Sequence, residues 1–136
     1  MRLRFVDMMA CMMAAGFVLW IVFWTGSVPE TPALSGSVRH VVDGDSLYMN
    51  GHEPQIRLWG VDAPERDEAG FQAATDALHR LAEGKQLTCQ QIDRDQYGRT
   101  VARCFLSDGQ EINRMMIESG TATEYLRFSR GFYSRG

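Results

Sequence analysis

Hydrophobic and polar positions divide the chain into an apolar amino-terminal run and a longer segment of mixed character. Every residue of Met8–Trp24 is apolar or glycine, and two arginines precede the run. A helix needs about 20 apolar residues to cross the hydrocarbon core of a bilayer, and extension of the run to Val28 provides that length. The pattern therefore predicts a transmembrane helix within residues 1–28.

The charges that flank this run predict its orientation. Because positive residues stay on the cytoplasmic side, Arg2 and Arg4 place everything after Val28 on the far side. The run exceeds the apolar length of a cleavable signal peptide and lacks a small-x-small cleavage site, so an uncleaved anchor is favoured. A protein secreted after signal cleavage is the alternative. The expected location is the inner or plasma membrane, with the folded domain in the periplasm or outside the cell.

The remainder of the chain alternates short β-rich runs with two helical patterns. Residues 29–36 contain two prolines and small polar residues, which predicts a linker before a domain over residues 37–136. Runs typical of strands cover 37–42, 46–49, 55–58, 86–92 and 100–106. The dipeptide Asn50-Gly51 favours a tight hairpin. Helices are predicted over 71–83 and 112–119, the first with an apolar face of Ala74, Ala77, Leu78, Leu81 and Ala82.

This order of elements predicts the class of fold. Five short strands with a helix between the third and fourth are typical of a β-rich α+β domain, a five-stranded Greek-key barrel of the oligonucleotide-binding (OB) type with two helices. The transmembrane helix precedes it. A chain of 136 residues, 45% of them hydrophobic, holds one such domain plus the appendage.

Charge limits how the chain can hold a polyanion. The formal net charge is −3 and the sequence pI is about 5.6. Attraction by the whole molecule therefore cannot hold nucleic acid strongly, so arginines or a bound cation must hold it locally. The acidity argues against a protein that coats DNA in bulk.

Three short stretches hold residues suited to metal-assisted phosphodiester cleavage. They are Val42-Asp-Gly-Asp-Ser46, Ile56-Arg-Leu-Trp-Gly-Val-Asp-Ala-Pro-Glu65 and Asp95-Gln-Tyr-Gly-Arg99. Taken singly, they are typical of a β-turn, a strand exit and a hairpin loop. Taken together, they place in a fixed order the groups assigned to this chemistry, which are the carboxylates of Asp45, Asp62 and Glu65 and the guanidinium groups of Arg57 and Arg99.

As a set, these stretches resemble the three signature blocks of the staphylococcal nuclease family. The resemblance runs from about Ser37 to Tyr125 and includes a helix that ends at Gly120. It implies a five-stranded barrel with helices, and calcium-dependent cleavage of DNA and RNA that leaves 3′-phosphate and 5′-hydroxyl ends. Family members usually continue into a further helix, which is missing after Tyr125, so the carboxyl-terminal segment is expected to be a frayed tail. Contact of its arginines and aromatic residues with nucleic acid is the alternative.

The carboxylates suit a hard cation. Ca²⁺ prefers oxygen ligands, and Asp45 and Asp62 supply them from two strand ends. By resemblance, the backbone carbonyl of Ala63 is a third ligand. Glu65 is placed to hold a water for in-line attack, and the resemblance assigns it as the general base. Orientation of the water alone is the other interpretation.

The arginines and one tyrosine are assigned to the phosphate. Arg57 and Arg99 come from different segments and can approach one phosphate from two sides, where planar guanidinium groups stabilise the charge of the transition state. By resemblance, Tyr97 hydrogen-bonds the terminal phosphate of the substrate. Packing is the alternative for this loop tyrosine.

Two of the cysteines indicate the cellular compartment in which the domain is expected to fold. Cys89 and Cys104 lie on the two strands around the third motif, in a register that places them opposite each other. A cross-strand disulfide fits an oxidising compartment beyond the membrane. Two buried thiols in a cytosolic barrel are the alternative.

Two functions of different class remain open at the level of the sequence. The first is a membrane-tethered, calcium-dependent nuclease. The second is a catalytically inactive, membrane-anchored OB-barrel module that binds nucleic acid, another polyanion or a protein. For either, a monomer is expected and no protein partner is indicated.

Overall fold

The computed structural model describes residues 32–136, so the predicted transmembrane helix lies outside the described residues. In chain order the elements are β1 Ala33–Asp43, β2 Ser46–Met49, β3 His52–Leu58, β4 Val61–Asp62, α1 Phe71–Ala82, β5 Gln86–Arg94, β6 Thr100–Leu106, α2 Ile112–Glu118, β7 Thr123–Glu124 and α3 Leu126–Ser129. Within residues 32–136, no helix combines the length and hydropathy of a membrane span.

Five of the strands close into a barrel in the order β1-β2-β3-β6-β5, and β5 pairs again with β1. The predicted five-stranded barrel is thus confirmed. Strands β1 to β3 form an antiparallel meander, and β5 and β6 form an antiparallel hairpin. Parallel pairing of β3 with β6, with Ile56 opposite Thr100, closes the barrel. This contact brings the end of β3 beside the start of β6.

The core lies inside the barrel and beneath α1. Alternating strand residues point inwards, as expected when one face of each strand is buried. The small residues of α1 let the helix approach β1 closely. Fully or almost fully buried side chains include Val38, Val41, Leu47, Met49, Ile56, Leu58, Ala74, Leu78, Ala82, Leu87 and Ala102.

The prediction of a linker over residues 29–36 is wrong for residues 33–36, which belong to a strand. Strand β1 begins at Ala33, and Ala33 to Ser37 pair with Gln90 to Gln86 of β5. The prolines that disfavour a strand precede this stretch, and the backbone groups of β5 would otherwise present an unpaired edge. The chain therefore enters the barrel four residues earlier than the composition predicts.

Asn113 of α2 joins the helix to the barrel. Its side chain is fully buried and accepts a hydrogen bond from the Cys104 amide at 3.0 Å. It donates to the carbonyl oxygens of Trp59 at 2.9 Å and Ala102 at 3.0 Å. Because a buried amide needs such partners, this residue holds the bend after β3 in one place.

The disulfide partners lie directly opposite each other in the β5–β6 hairpin. Cys89 and Cys104 are bonded with an S–S distance of 2.08 Å, and both are fully buried. The bond crosses the hairpin whose loop carries Arg99.

The carboxyl-terminal segment packs on the barrel, so the expectation of a frayed tail is wrong. The segment forms the short helix α3, a third helix where the sequence predicted two. Beyond it, Tyr133 is only 6% exposed, and its ring centroid lies 5.9 Å from that of Trp59. The Glu124 carboxylate accepts hydrogen bonds from the Ser129 hydroxyl at 2.5 Å and the Tyr133 amide at 2.9 Å. Aromatic packing and these hydrogen bonds order the segment.

A second carboxylate anchors the same segment. Glu111 accepts two hydrogen bonds from the Arg103 guanidinium, at 2.9 and 2.7 Å, and one from the Tyr133 hydroxyl at 2.5 Å. Burial by itself raises the pKa of Glu111. The hydrogen bonds from Arg103 and Tyr133 outweigh burial, so the pKa of Glu111 lies below its ordinary value.

Replacing Glu111 by glutamine is expected to flatten the acid limb of the stability profile. A lowered pKa contributes stability that is fully present above the unfolded pKa, about 4.3, and is lost as the pH falls through the folded pKa. Urea titrations between about pH 5 and pH 2 should therefore show a shallower fall in the free energy of unfolding for Glu111→Gln than for the wild type. The exposed Glu53→Gln is the control. Parallel profiles for the wild type and Glu111→Gln would contradict this prediction.

Candidate active site

The turn between β1 and β2 presents the first predicted ligand, Asp45. The Asp43 carboxylate accepts hydrogen bonds from the Asp45 amide at 3.1 Å and the Ser46 hydroxyl at 2.7 Å, as in an Asx turn. A Cβ atom on Gly44 would lie 2.6 Å from Cβ of Ala74 and 2.7 Å from Cβ of Ala63. Only glycine fits here. Because it has no side chain, the turn packs closely between Ala74 of α1 and Ala63.

Asp45 and Arg57 form an ion pair. In the β2–β3 ladder Ser46 is opposite Arg57, so the residue before Ser46 lies beside the guanidinium. The distance from Nη2 of Arg57 to Oδ2 of Asp45 is 3.1 Å. The same carboxylate oxygen accepts the Ala63 amide at 3.1 Å. Asp45 therefore contacts both the arginine and the segment that carries the other predicted ligands.

Burial is the largest influence on the pKa of Asp45. The residue is 7% exposed, and burial raises its pKa to about 7 even though Arg57 acts in the opposite direction and Asp43 in the same. One arginine thus compensates the buried carboxylate only in part. Further positive charge at this carboxylate would stabilise its ionised form.

Arg57 is held by the backbone as well as by Asp45. Its Nη1 atom donates to the carbonyl oxygens of Leu58 at 3.0 Å and Val61 at 2.8 Å. These carbonyls flank the bend at Gly60, whose φ of 71° lies in the left-handed region that glycine adopts freely. The local chain path therefore fixes the guanidinium.

Asp62, Ala63 and Glu65 line one opening, here called the acidic cleft. It has a volume of about 310 Å³, and its other lining residues are Pro64, Glu68 and the segment Gly120–Thr123. The Asp62 and Glu65 residues are exposed. Strand β4 pairs Asp62 with Thr123 of β7, and both residues line the cleft.

Arg57, Tyr97 and Arg99 line a second opening, here called the arginine cleft. Its volume is about 560 Å³, and its other lining residues include Trp59, Ile92, Arg94, Tyr125 and Phe128. Parallel pairing of β3 with β6 brings the two arginines to one cleft, because Arg57 is opposite Val101, two residues after Arg99.

Asp95 orients Arg99. One carboxylate oxygen accepts the amides of Tyr97 and Arg99, each at 3.0 Å, and the other accepts Nε of Arg99 at 2.6 Å. Burial raises the pKa of Asp95, but the hydrogen bonds from Arg99 and Tyr97 outweigh it and lower the pKa. Because Asp95 engages Nε, the two Nη groups at the end of the side chain are left for an anion in the cleft.

Tyr97 is 75% exposed, so the packing alternative does not describe it. The Arg99 guanidinium carbon lies 5.5 Å from the centre of the tyrosine ring. Because Tyr97 is exposed and lines the arginine cleft, its hydroxyl is accessible there. The role of this hydroxyl with substrate stays a prediction.

The predicted residues are thus distributed over two clefts that Asp45 connects. The structure brings Arg57, Arg99 and Tyr97 to one cleft, and Asp62, Ala63 and Glu65 to the other. Asp45 lines neither, but it contacts Arg57 from the first and Ala63 from the second.

Sequence reasoning missed three residues that support this site. Asp43 and Asp95 lie inside the motifs, and an aspartate at the start of a turn is a known signal for side-chain capping of backbone amides. Glu68 lies in a connector with no motif, so no local signal marks it. Its role depends on a contact that the connector makes when folded.

The residues available to a cation are few. Within residues 32–136, no three histidine, cysteine, aspartate or glutamate side chains come together as a metal site. Asp45, Asp62 and the Ala63 carbonyl offer hard oxygen donors, which fit a cation that completes its shell with water and substrate oxygens. The incompletely compensated charge of buried Asp45 fits the same ion.

Comparisons with known proteins agree with the geometry. The family described as Staphylococcal nuclease homologue matches residues 55–134. An "Uncharacterized endonuclease" of Escherichia coli is 32% identical over 114 residues, which cover 82% of this chain and 72% of the relative. "Succinoglycan biosynthesis protein ExoI" of Rhizobium meliloti is 36% identical over 132 residues, covering 88% of this chain and 66% of the relative. "Micrococcal nuclease" of Shigella flexneri is 28% identical, covering 76% and 66%.

The family match spans β3 to the carboxyl-terminal segment, and so includes both clefts and the hairpin loop that carries Arg99. The endonuclease relative covers most of both chains. The chain therefore belongs to the staphylococcal nuclease family, and this membership makes it a hydrolytic nuclease.

Proposed function

We propose that this chain is a calcium-dependent nuclease that hydrolyses phosphodiester bonds of DNA and RNA by in-line attack of water, leaving 3′-phosphate and 5′-hydroxyl ends. The contacts of Asp45 carry the proposal. This buried carboxylate is joined to Arg57 at 3.1 Å and to the amide of Ala63 at 3.1 Å, so one residue connects the arginine cleft with the acidic cleft. A phosphate between the two would meet guanidinium groups on one side and carboxylates on the other.

The choice of calcium is part of the proposal. Nucleases of this family depend on a metal. Asp45, Asp62 and the Ala63 carbonyl would hold the ion, and its all-oxygen donor set with room for water suits Ca²⁺ better than an ion that prefers nitrogen or sulfur. When bound, the ion supplies charge that polarises the phosphate.

The remaining catalytic roles belong to side chains of the protein. Glu65, exposed in the acidic cleft, orients the attacking water and accepts its proton. Arg57 and Arg99 bind the phosphate from the arginine cleft and stabilise the charge that builds on its oxygens. Tyr97 donates a hydrogen bond to a neighbouring phosphate at the mouth of that cleft. The protein holds both arginines in place, Arg57 through three hydrogen-bonded partners and Arg99 through the Asp95 carboxylate.

We also propose that the domain acts in an oxidising compartment, in the periplasm or outside the cell, tethered by residues 1–28. The Cys89–Cys104 disulfide supports the compartment, since such bonds persist in oxidising surroundings. The apolar run and the arginines before it support the tether.

Incubation of the full chain in detergent micelles with labelled single-stranded DNA, and in parallel with RNA, tests the activity. Cutting is expected with Ca²⁺ and is expected to stop with a chelator, and the products should carry 3′-phosphate and 5′-hydroxyl ends. Mg²⁺ in place of Ca²⁺ checks the choice of ion. Binding of the oligonucleotide without cutting under all these conditions would instead support the inactive binding module.

A further inference from the structure

The loop that carries Glu65 is exposed throughout. Every residue of 65–70 is exposed, and the loop lies between β4 and α1. A group that orients an attacking water must be held in nearly one geometry, since a displacement of about 1 Å can cost on the order of 100-fold in rate. Exposed loops usually lack such restraint. Some contact within this loop must therefore fix Glu65.

Glu68 makes that contact. Its Oε2 atom accepts a hydrogen bond from the amide of Glu65 at 2.8 Å. In return, the Glu68 amide donates to the carbonyl oxygen of Glu65, also at 2.8 Å. The two residues therefore hold each other through one side-chain and one backbone hydrogen bond, and Glu65 lines the acidic cleft.

Glu68 is in turn tied to α1. The Phe71 amide donates to the carbonyl oxygen of Glu68 at 3.3 Å, and the Ala74 amide donates to Gly70 at 2.9 Å. Because α1 packs through Ala74 on the core, Glu68 connects Glu65 to a rigid element rather than to another loop residue. Its carboxylate lines the same cleft as Asp62 and Glu65.

We propose that Glu68 is a positioning residue for the nuclease reaction, which acts through Glu65 by accepting its amide hydrogen. The inference rests on the proposed function. A positioning role requires a hydrogen-bond acceptor at residue 68 and does not require its negative charge. This requirement separates the role from an electrostatic contribution to cation binding.

Two substitutions separate these roles. Glu68→Gln keeps an acceptor oxygen and loses the charge, so kcat is expected to stay within about threefold of the wild type. Glu68→Ala loses the acceptor, so kcat is expected to fall about tenfold or more with KM nearly unchanged. The half-saturating Ca²⁺ concentration should be unchanged in both variants. Asp67→Ala, which removes a neighbouring exposed carboxylate, should behave as the wild type.

A double-mutant cycle tests whether the effect passes through Glu65. In a Glu65→Gln background, Glu68→Ala is expected to cause less than about a twofold further loss, because residues that act as a unit are non-additive. A merely structural role would lower the residual activity by the same factor in both backgrounds. Thermal unfolding of each variant checks that the loop change leaves the fold intact.

Each outcome has one interpretation. Equal losses in Glu68→Ala and Glu68→Gln, a changed requirement for Ca²⁺, additive losses with Glu65→Gln, or full activity of Glu68→Ala would each overturn the proposal. Absence of any cutting by the wild-type chain would instead contradict the proposed function. The two failures are therefore distinguishable.

Discussion

Replacing Glu65 by glutamine is expected to lower kcat on the order of 10²- to 10⁴-fold, which is the usual contribution of a positioned general base. Glutamine keeps the size of the side chain and can still hold a water, but it cannot accept the proton. Because residue 65 is exposed, the free energy of unfolding should change by less than about 0.5 kcal/mol. Single-turnover cleavage of an oligonucleotide in the presence of Ca²⁺ measures the effect.

The neighbouring Asp67→Asn serves as the matched control for Glu65→Gln, since it removes an exposed carboxylate two residues away and should leave kcat unchanged. A loss of less than about tenfold in Glu65→Gln would indicate that the glutamate acts chiefly by orientation. Its assignment as the base would then be wrong.

Replacing Arg57 by lysine is expected to lower kcat on the order of 10²- to 10³-fold, the usual result of losing one donor to the charge of a transition state. The guanidinium contacts Asp45 and two backbone carbonyls at once, and it is planar and bidentate towards phosphate. A lysine ammonium cannot make the same set of hydrogen bonds. Steady-state kinetics that resolve kcat from KM measure the effect.

Arg39→Lys, at an exposed position of β1, is the matched control and should retain the activity of the wild type. Urea unfolding of both variants separates a lost phosphate contact from a damaged fold. Full activity of a folded Arg57→Lys protein would show that the guanidinium does not act on the reacting phosphate.

The strands and the two longer helices could be predicted from local pattern to within a few residues. Strand β6 was predicted as residues 100–106 and is observed as Thr100–Leu106, and α1 differs from its predicted range only at the last residue. Alternation of apolar and polar residues reports directly on which face is buried. Short or unusual elements carried no such signal, as in the two-residue ladder of Val61 and Asp62 with β7.

The carboxyl-terminal segment shows why local pattern was insufficient. Its aromatic residues are interleaved with arginines, a pattern without helical or strand period. Tyr133 is nevertheless buried, because Trp59 offers its ring and the carboxylate of Glu111 accepts the tyrosine hydroxyl. Those partners are distant along the chain, so only the folded barrel brings them to the segment.

The amino-acid sequence by itself determined the barrel, the family and the residues assigned to the chemistry, because hydrophobic period and the three motifs are local properties of the chain. The tertiary structure decided how those residues are arranged. Parallel pairing of β3 with β6 brings Arg57 and Arg99 to one cleft, and the fit of α1 against Gly44 sets Asp45 against Ala63. Such contacts join residues far apart along the chain, and their geometry depends on the closed barrel rather than on any segment alone.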